Sequence, residues 1–224
     1  MTRVYVVVEG ATEESFVKGP LAGALWPRNV LLIPIILGVA GHRGGRASYA
    51  RMRKDLLKQL KQDSEAYCST MIDFYGLGPG FPGGPLDGLP PIRQVEKIEQ
   101  GIKYDICGLI PKHRPDERLI PYLSLHEFES LLFSDPEAFA RALSQPSLAP
   151  RLSAVRSEFS TPEDINDGPN TAPSKRIAKI YPAYQKVIEG TLAARAVGIE
   201  AIRRECPHFR RWFEQLQELG RTWS

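Results

Sequence analysis

Cysteine is scarce in this chain, and what there is does not pair by spacing. Cys68, Cys107 and Cys206 stand far apart, with no C-x-x-C among them. That argues against a disulfide framework or a cysteine zinc site and fits a reducing cytoplasm. No apolar run reaches the roughly 20 residues of a membrane span. The first strand begins almost at once, so no signal peptide is expected. No G-x-x-x-x-G-K-S/T motif occurs, which argues against a P-loop nucleotide site, and no G-x-S-x-G marks a hydrolase elbow. One-sided charge is also lacking. The net of +3 is too small to imply nucleic acid by itself, so the distribution of charge matters more.

What remains is an ordinary globular composition, with 42% hydrophobic and 25% charged residues. The 224 residues suit one large domain or one domain with an appendage. Val4 to Val8 is a β-branched run, apolar on both faces, as expected of a central parallel strand covered by helices. It ends at Glu9-Gly10, and Thr12 reads as the N-cap of a first helix. Val30 to Leu37 is a second run, broken by Pro34, which suits an edge position or an irregular strand. Gly38 to Gly45 reads as loop, and its basic, glycine-rich end, His42 to Arg46, is either a phosphate cradle through Arg43 and Arg46 or a plain exposed loop. Ala47 to Gln62 reads as a helix with Tyr49, Met52, Leu56, Leu57 and Leu60 on one face. Its opposite face carries Arg51, Lys54, Lys58 and Lys61, a candidate nucleic-acid surface. Tyr67 to Asp73 is a third strand. From Gly76 to Ile92, Gly and Pro fill 11 of 17 positions, which marks a long loop.

A helix is expected over Gln94 to Tyr104 and a fourth, Pro-containing strand over Leu119 to Leu125. Glu127 to Phe133 starts another helix, and Asp135-Pro136 caps the next. The C-terminal third reads as helical. Ser174 is expected to cap a helix holding Ile177, Ile180, Tyr184 and Val187, with two more around Ile199 to Glu205 and Phe209 to Leu219. Alternating strands and helices followed by helices predict an α/β fold: a mainly parallel central sheet flanked by helices over residues 1–145, with a helical extension over 146–224.

Three strand ends carry acids: Glu9, Asp73, and Glu127 with Glu129. Parallel neighbours would bring them to one edge, where ligands bind in open α/β sheets. Oxygen-only ligation of this kind suits Mg²⁺ or Mn²⁺. Such an ion can activate water for phosphodiester hydrolysis. Glu13, in the first turn of the helix, either points back to that site or simply complements the helix dipole. His126-Glu127-Phe128-Glu129 has two readings. If extended, Glu127 and Glu129 share a face; if helical, they diverge by about 200° and His126 pairs with Glu129. The segment is not a zincin motif, because Ser130 stands where the second His would be needed.

Several of these stretches resemble one bacterial family. They are Val8-Glu9-Gly10-Ala11-Thr12-Glu13, Asp73-Phe74-Tyr75-Gly76, His126 to Phe133, Pro162 to Arg176 with its Ile165-Asn166-Asp167-Gly168-Pro169, and Cys206-Pro207-His208-Phe209. The family is a Toprim-like one of unknown function, the DUF4276 family, related in site pattern to OLD-family Toprim nucleases. The resemblance runs nearly end to end. It implies a Toprim-like fold and a strand-end Glu with a later Asp pair on Mg²⁺. Glu9 matches that Glu, Glu13 an extra acid of OLD-type nucleases, and Asp73 the first Asp. The second Asp is Tyr75 here, leaving Glu127 or Glu129 to supply the missing carboxylate; His126, by residue type alone, is either a ligand or a hydrogen-bonded structural histidine. A late Lys near the metals is matched best by Lys175, with Arg176 beside it. The resemblance further implies a partner ABC-type or SMC-like ATPase, a defence-type system, and DNA or RNA as substrate. A homo-oligomer is also compatible with it. The alternative it leaves is a catalytically decayed binding or regulatory subunit of such an ATPase.

Overall fold

The computed structural model describes residues 1–37, 47–166 and 170–221. Five strands form one parallel sheet: β1 (Thr2–Val8), β2 (Val30–Ile36), β3 (Tyr67–Asp73), β4 (Leu119–Ile120) and β5 (Leu123–Ser124). The order is β2-β1-β3-β4, with β5 also pairing to β3. All four pairings are parallel. β2 is an edge strand, as Pro34 requires, and Val6 of β1 pairs opposite that proline. The helices are α1 (Ala11–Phe16), α2 (Ala22–Leu25), α3 (Tyr49–Gln62), α4 (Pro91–Leu109), α5 (Pro115–Arg118), α6 (Pro136–Ala142), α7 (Ala149–Ser157), α8 (Pro173–Ile180), α9 (Lys186–Glu205) and α10 (Pro207–Glu218). No helix among the described residues is long and apolar enough to cross a membrane.

The alternation of β1 builds a core on each face of the sheet. Val4, Val6 and Val8 point into the larger one, with Phe16, Phe128, Leu132, Phe139, Ile202 and Phe209. Val7 points into the other, with Met52, Leu56 and Leu60 of α3 and Val95, Ile98, Ile102 and Ile106 of α4. Each such side chain contributes about 1.5–3 kcal/mol on burial. The larger core draws on residues from Val4 to Leu216, so the C-terminal helices share it with the sheet.

Local chemistry moves several expected boundaries. The first helix is capped at Gly10, not Thr12, because the Glu13 carboxylate takes the Gly10 N–H at 3.0 Å. The fourth strand is split at Pro121, and the Thr70 hydroxyl fills the gap. Its Oγ1 donates to the Tyr122 carbonyl at 2.8 Å and accepts the Tyr122 N–H at 2.9 Å. α4 runs longer than its expected span. α8 starts at Pro173 with Ala172 as cap, not Ser174, and ends at Ile180, two residues before Pro182. Tyr184 therefore lies in a turn, and Val187 begins the exposed side of α9. α9 itself breaks at Gly198, whose φ of 78° only glycine adopts readily.

Candidate active site

The chain leaves β1 for β2 on one side and returns to β3 on the other. The strand order therefore reverses between β1 and β3, and their carboxyl ends flank the crevice where open parallel sheets bind ligands. Glu9 follows β1 and Asp73 ends β3. The Glu9 carboxylate accepts the Asp73 N–H at 3.2 Å. Buried Asp73 in turn accepts the Phe128 N–H through Oδ1 at 2.9 Å. Glu127 accepts the Ser174 N–H at 2.9 Å, tying the start of α8 to the same edge. Glu129 is fully buried. Its Oε2 lies 3.0 Å from the Lys186 ammonium, and its Oε1 has no hydrogen-bond partner among the described residues. Lys186 opens α9 and also stands 3.8 Å from Asp73 Oδ2.

Backbone N–H groups thus orient one oxygen each of Glu9, Glu13, Asp73 and Glu127. The second oxygens of Glu9, Glu13 and Glu127 receive no hydrogen bond from a described residue. Gly76 is needed for this arrangement. A Cβ there would stand 2.8 and 2.9 Å from the two Glu9 oxygens. Gly190 is needed likewise, since a Cβ would come within 2.8 Å of the Tyr184 hydroxyl. That hydroxyl is buried beside Glu129 and Lys186 without a hydrogen-bond partner among the described residues.

The acids crowd one another. Burial holds Glu9 above the ordinary carboxylate range, with Glu13 and Glu127 adding to it, against the Asp73 N–H and Lys186. Burial drives Asp73 well above that range; Glu13, Glu9 and Glu129 push the same way and Lys186 opposes them. Glu129 is raised mainly by burial, again against Lys186. Burial disfavours the Lys186 charge, yet Glu129, Asp73 and Glu13 outweigh it and hold the lysine protonated. A single ammonium therefore serves a cluster of carboxylates, which is costly without further positive charge.

The donor chemistry fits a hard divalent cation: oxygen only, several carboxylates, free second oxygens and surplus negative charge. Among the described residues no three acid, His or Cys side chains already stand in a ligand arrangement around one point. Uptake of an ion there requires side-chain adjustment.

The edge therefore gathers Glu9, Glu13, Asp73, Glu127 and Glu129. The two readings of the His126 segment resolve in part each way. Glu127 is extended (φ −135°, ψ 154°) and a 3-10 turn runs from Phe128 to Ser134, so Glu127 and Glu129 find different partners. His126 makes no pair with Glu129; its Nδ1 has no hydrogen-bond partner among the described residues, and burial pushes its pKa down to about 4. Tyr75 sits at the rim with its ring 5.2 Å from that of His126. Lys175 is exposed and pairs with no described residue. Arg176 is engaged elsewhere, with Glu158 at 2.9 Å and over the Phe159 ring at 5.0 Å. Arg51, Lys54, Lys58 and Lys61 line the exposed face of α3. Arg43 and Arg46 lie outside the described residues.

The residue that sequence reading missed is Lys186. A helix read straight through from Ser174 to Val187 hides it. Pro182 was the signal that the helix stops and a new one begins beside the acids. Two of the quoted motifs have a supporting task. Buried Glu163 accepts the His208 N–H at 2.8 Å and the Phe209 N–H at 2.9 Å, capping α10. α10 then reaches β3, where the Trp212 indole N–H donates to Ser69 Oγ at 2.8 Å.

A family model described as a domain of unknown function (DUF4276) matches residues 8–217, a span that takes in every acid of the site. No curated protein and no solved structure matches the chain.

Proposed function

The chain belongs to the DUF4276 family, and from the site it carries we propose a Mg²⁺- or Mn²⁺-dependent nuclease acting on DNA or RNA. The observation behind this reading is the meeting of the strand-end acids Glu9 and Asp73 with Glu127, Glu129 and Lys186 at the edge where β1 and β3 diverge. A Glu and an Asp on adjacent parallel strand ends also accord with a Toprim-like relationship. Glu9 and Asp73 are the core ligands on this reading, with Glu13, Glu127 and Glu129 completing or orienting the set. When bound, the ion supplies an activated water and charge neutralisation at the phosphate. Lys186 holds Glu129 in place and opposes the burial that raises its pKa, and its ammonium stabilises charge growing on phosphate oxygens. Lys175 and the α3 stripe are rim cations for the nucleic-acid backbone. The resemblance adds an ABC-type or SMC-like ATPase as partner, in a defence-type system, and the three widely spaced cysteines suit action in the cytoplasm.

A second reading rests on a specific substitution. Tyr75 stands where a second Asp is expected, and Lys186 already brings positive charge to Glu129 and Asp73. That favours a decayed site in a regulatory subunit. A cleavage assay separates the two. Purified protein, with and without the ATPase, is incubated with labelled DNA and RNA in Mg²⁺ or Mn²⁺. The nuclease reading requires cleavage that EDTA stops and that Glu9→Gln lowers by about 100-fold or more. Metal-independent cleavage overturns the role given to the metal, and no cleavage with the partner present supports the regulatory reading.

A further inference from the structure

Tyr75 is the exposed aromatic nearest the acids in sequence, two residues after Asp73 and one before Gly76. Two residues of chain reach at most about 7 Å, so its backbone belongs to the site wall. Its side chain is 47% exposed, and its hydroxyl has no hydrogen-bond partner among the described residues. An ordinary surface loop could carry any polar residue here. What distinguishes this tyrosine is that it is exposed and yet held. The Tyr75 N–H donates to the His126 carbonyl at 3.3 Å. Its ring meets that of buried His126 at 5.2 Å and 61°, and that of Phe74 at 6.2 Å and 85°. Both contacts are edge-to-face, an arrangement that fixes a ring without stacking on it. On the other side, Gly76 lies tight against the Glu9 carboxylate, so the turn cannot shift without moving the site.

We propose that Tyr75 is a stacking platform for the nucleobase beside the scissile phosphate, which makes single-stranded or locally unpaired nucleic acid the substrate. The inference rests on the nuclease reading of the acid site. A base can stack on a side chain only when its face is not taken by neighbouring bases, as in a single strand, a loop or a flipped nucleotide. A tyrosine held in advance loses little freedom when the base arrives. The absence of a second Asp is then a gain of substrate contact at that position.

The test measures affinity by fluorescence anisotropy in the Glu9→Gln background, with cleavage suppressed. The ligands are a labelled single-stranded DNA, a single-stranded RNA and the matching DNA duplex. Tyr75→Ala should weaken single-strand binding by about 5- to 150-fold. Duplex binding should stay within about twofold, and Tyr75→Phe, which keeps the ring, should bind single strands like the parent. Comparison of the DNA and RNA arms identifies the preferred sugar. Tyr75→Leu separates stacking from bulk, because it fills space without a π face and should bind as weakly as Tyr75→Ala. Melting temperatures check that the variants are folded. Single-strand affinity unchanged in Tyr75→Ala overturns the stacking role and leaves the nuclease reading standing. Equal losses for duplex and single strand overturn the preference for unpaired bases. If none of the three ligands binds, the nuclease reading falls and the inference with it.

Discussion

Lys186→Met removes the ammonium that serves the acid cluster while keeping the aliphatic stem. The structure sets the size of the effect. Glu129 is fully buried, and among the described residues the ammonium at 3.0 Å is the one partner of its Oε2, while Asp73 loses a cation at 3.8 Å. Removing one partner from a buried ion pair costs about 3–5 kcal/mol. Here the Lys186 side chain is 41% exposed, so solvent screens part of the pair, and we expect about 1–3 kcal/mol at pH 8. For a chain of this size that lowers the melting temperature by about 2–12 °C. The sign of the pH dependence follows from the raised carboxyls. A group whose folded pKa lies above its unfolded value stabilises fully below the unfolded pKa, and that contribution is lost as pH rises through the folded one. Glu129 and Asp73 are such groups, and without Lys186 both rise further. Wild type and variant should therefore melt nearly together at pH 4 and diverge steadily towards pH 8. Thermal melts by circular dichroism across that range, without divalent ions, measure the gap. Glu129→Gln added to Lys186→Met should close most of it. A gap independent of pH, or a variant as stable as wild type at pH 8, would refute the account of the cluster.

Other perturbations test separate parts. Gly76→Ala places a Cβ 2.8 Å from a Glu9 oxygen and must displace that carboxylate, so cleavage should fall by about 100-fold with only a few degrees of melting shift; full activity in that variant would contradict the placement of Glu9. Glu163→Ala frees two buried N–H groups at the start of α10 and should cost about 2–4 kcal/mol in urea unfolding without changing metal affinity. Replacing Arg51, Lys54, Lys58 and Lys61 with Gln should flatten the salt dependence of duplex DNA binding by about 3–4 units of logarithmic slope. An unchanged slope would return that face of α3 to an ordinary solvated surface.

Local patterns carried much of the fold. The valine-rich run of β1 demanded cover on both faces, and the structure supplies two cores for its alternating side chains. Pro34 placed β2 at an edge, and the Tyr67–Asp73 strand was legible residue for residue. The acids at the strand ends were legible because the carboxyl edge of a parallel sheet is one place. Lys186 was not, because its approach to Glu129 depends on where α8 stops, and periodicity ran through that stop. The partition of Glu127 and Glu129 was beyond sequence too. It depends on an extended residue followed directly by a 3-10 turn, and on the Ser174 N–H arriving from 47 residues away. Glu163 and His208 belong to stretches that carry the family resemblance, and tertiary contacts put them to work on a helix start.

The central claim is that the clustered carboxylates need a divalent cation, and calorimetric titration with Mn²⁺ tests it most directly. Titrations at pH 6 in two buffers of different ionisation enthalpy report the protons released on binding. Because burial and mutual repulsion raise Glu9, Asp73 and Glu129, Mn²⁺ should bind the wild type, release protons and raise the melting temperature. Asp73→Asn should lose most of that affinity and of the proton release. No heat of binding in the wild type, or equal binding by Asp73→Asn, would contradict the claim.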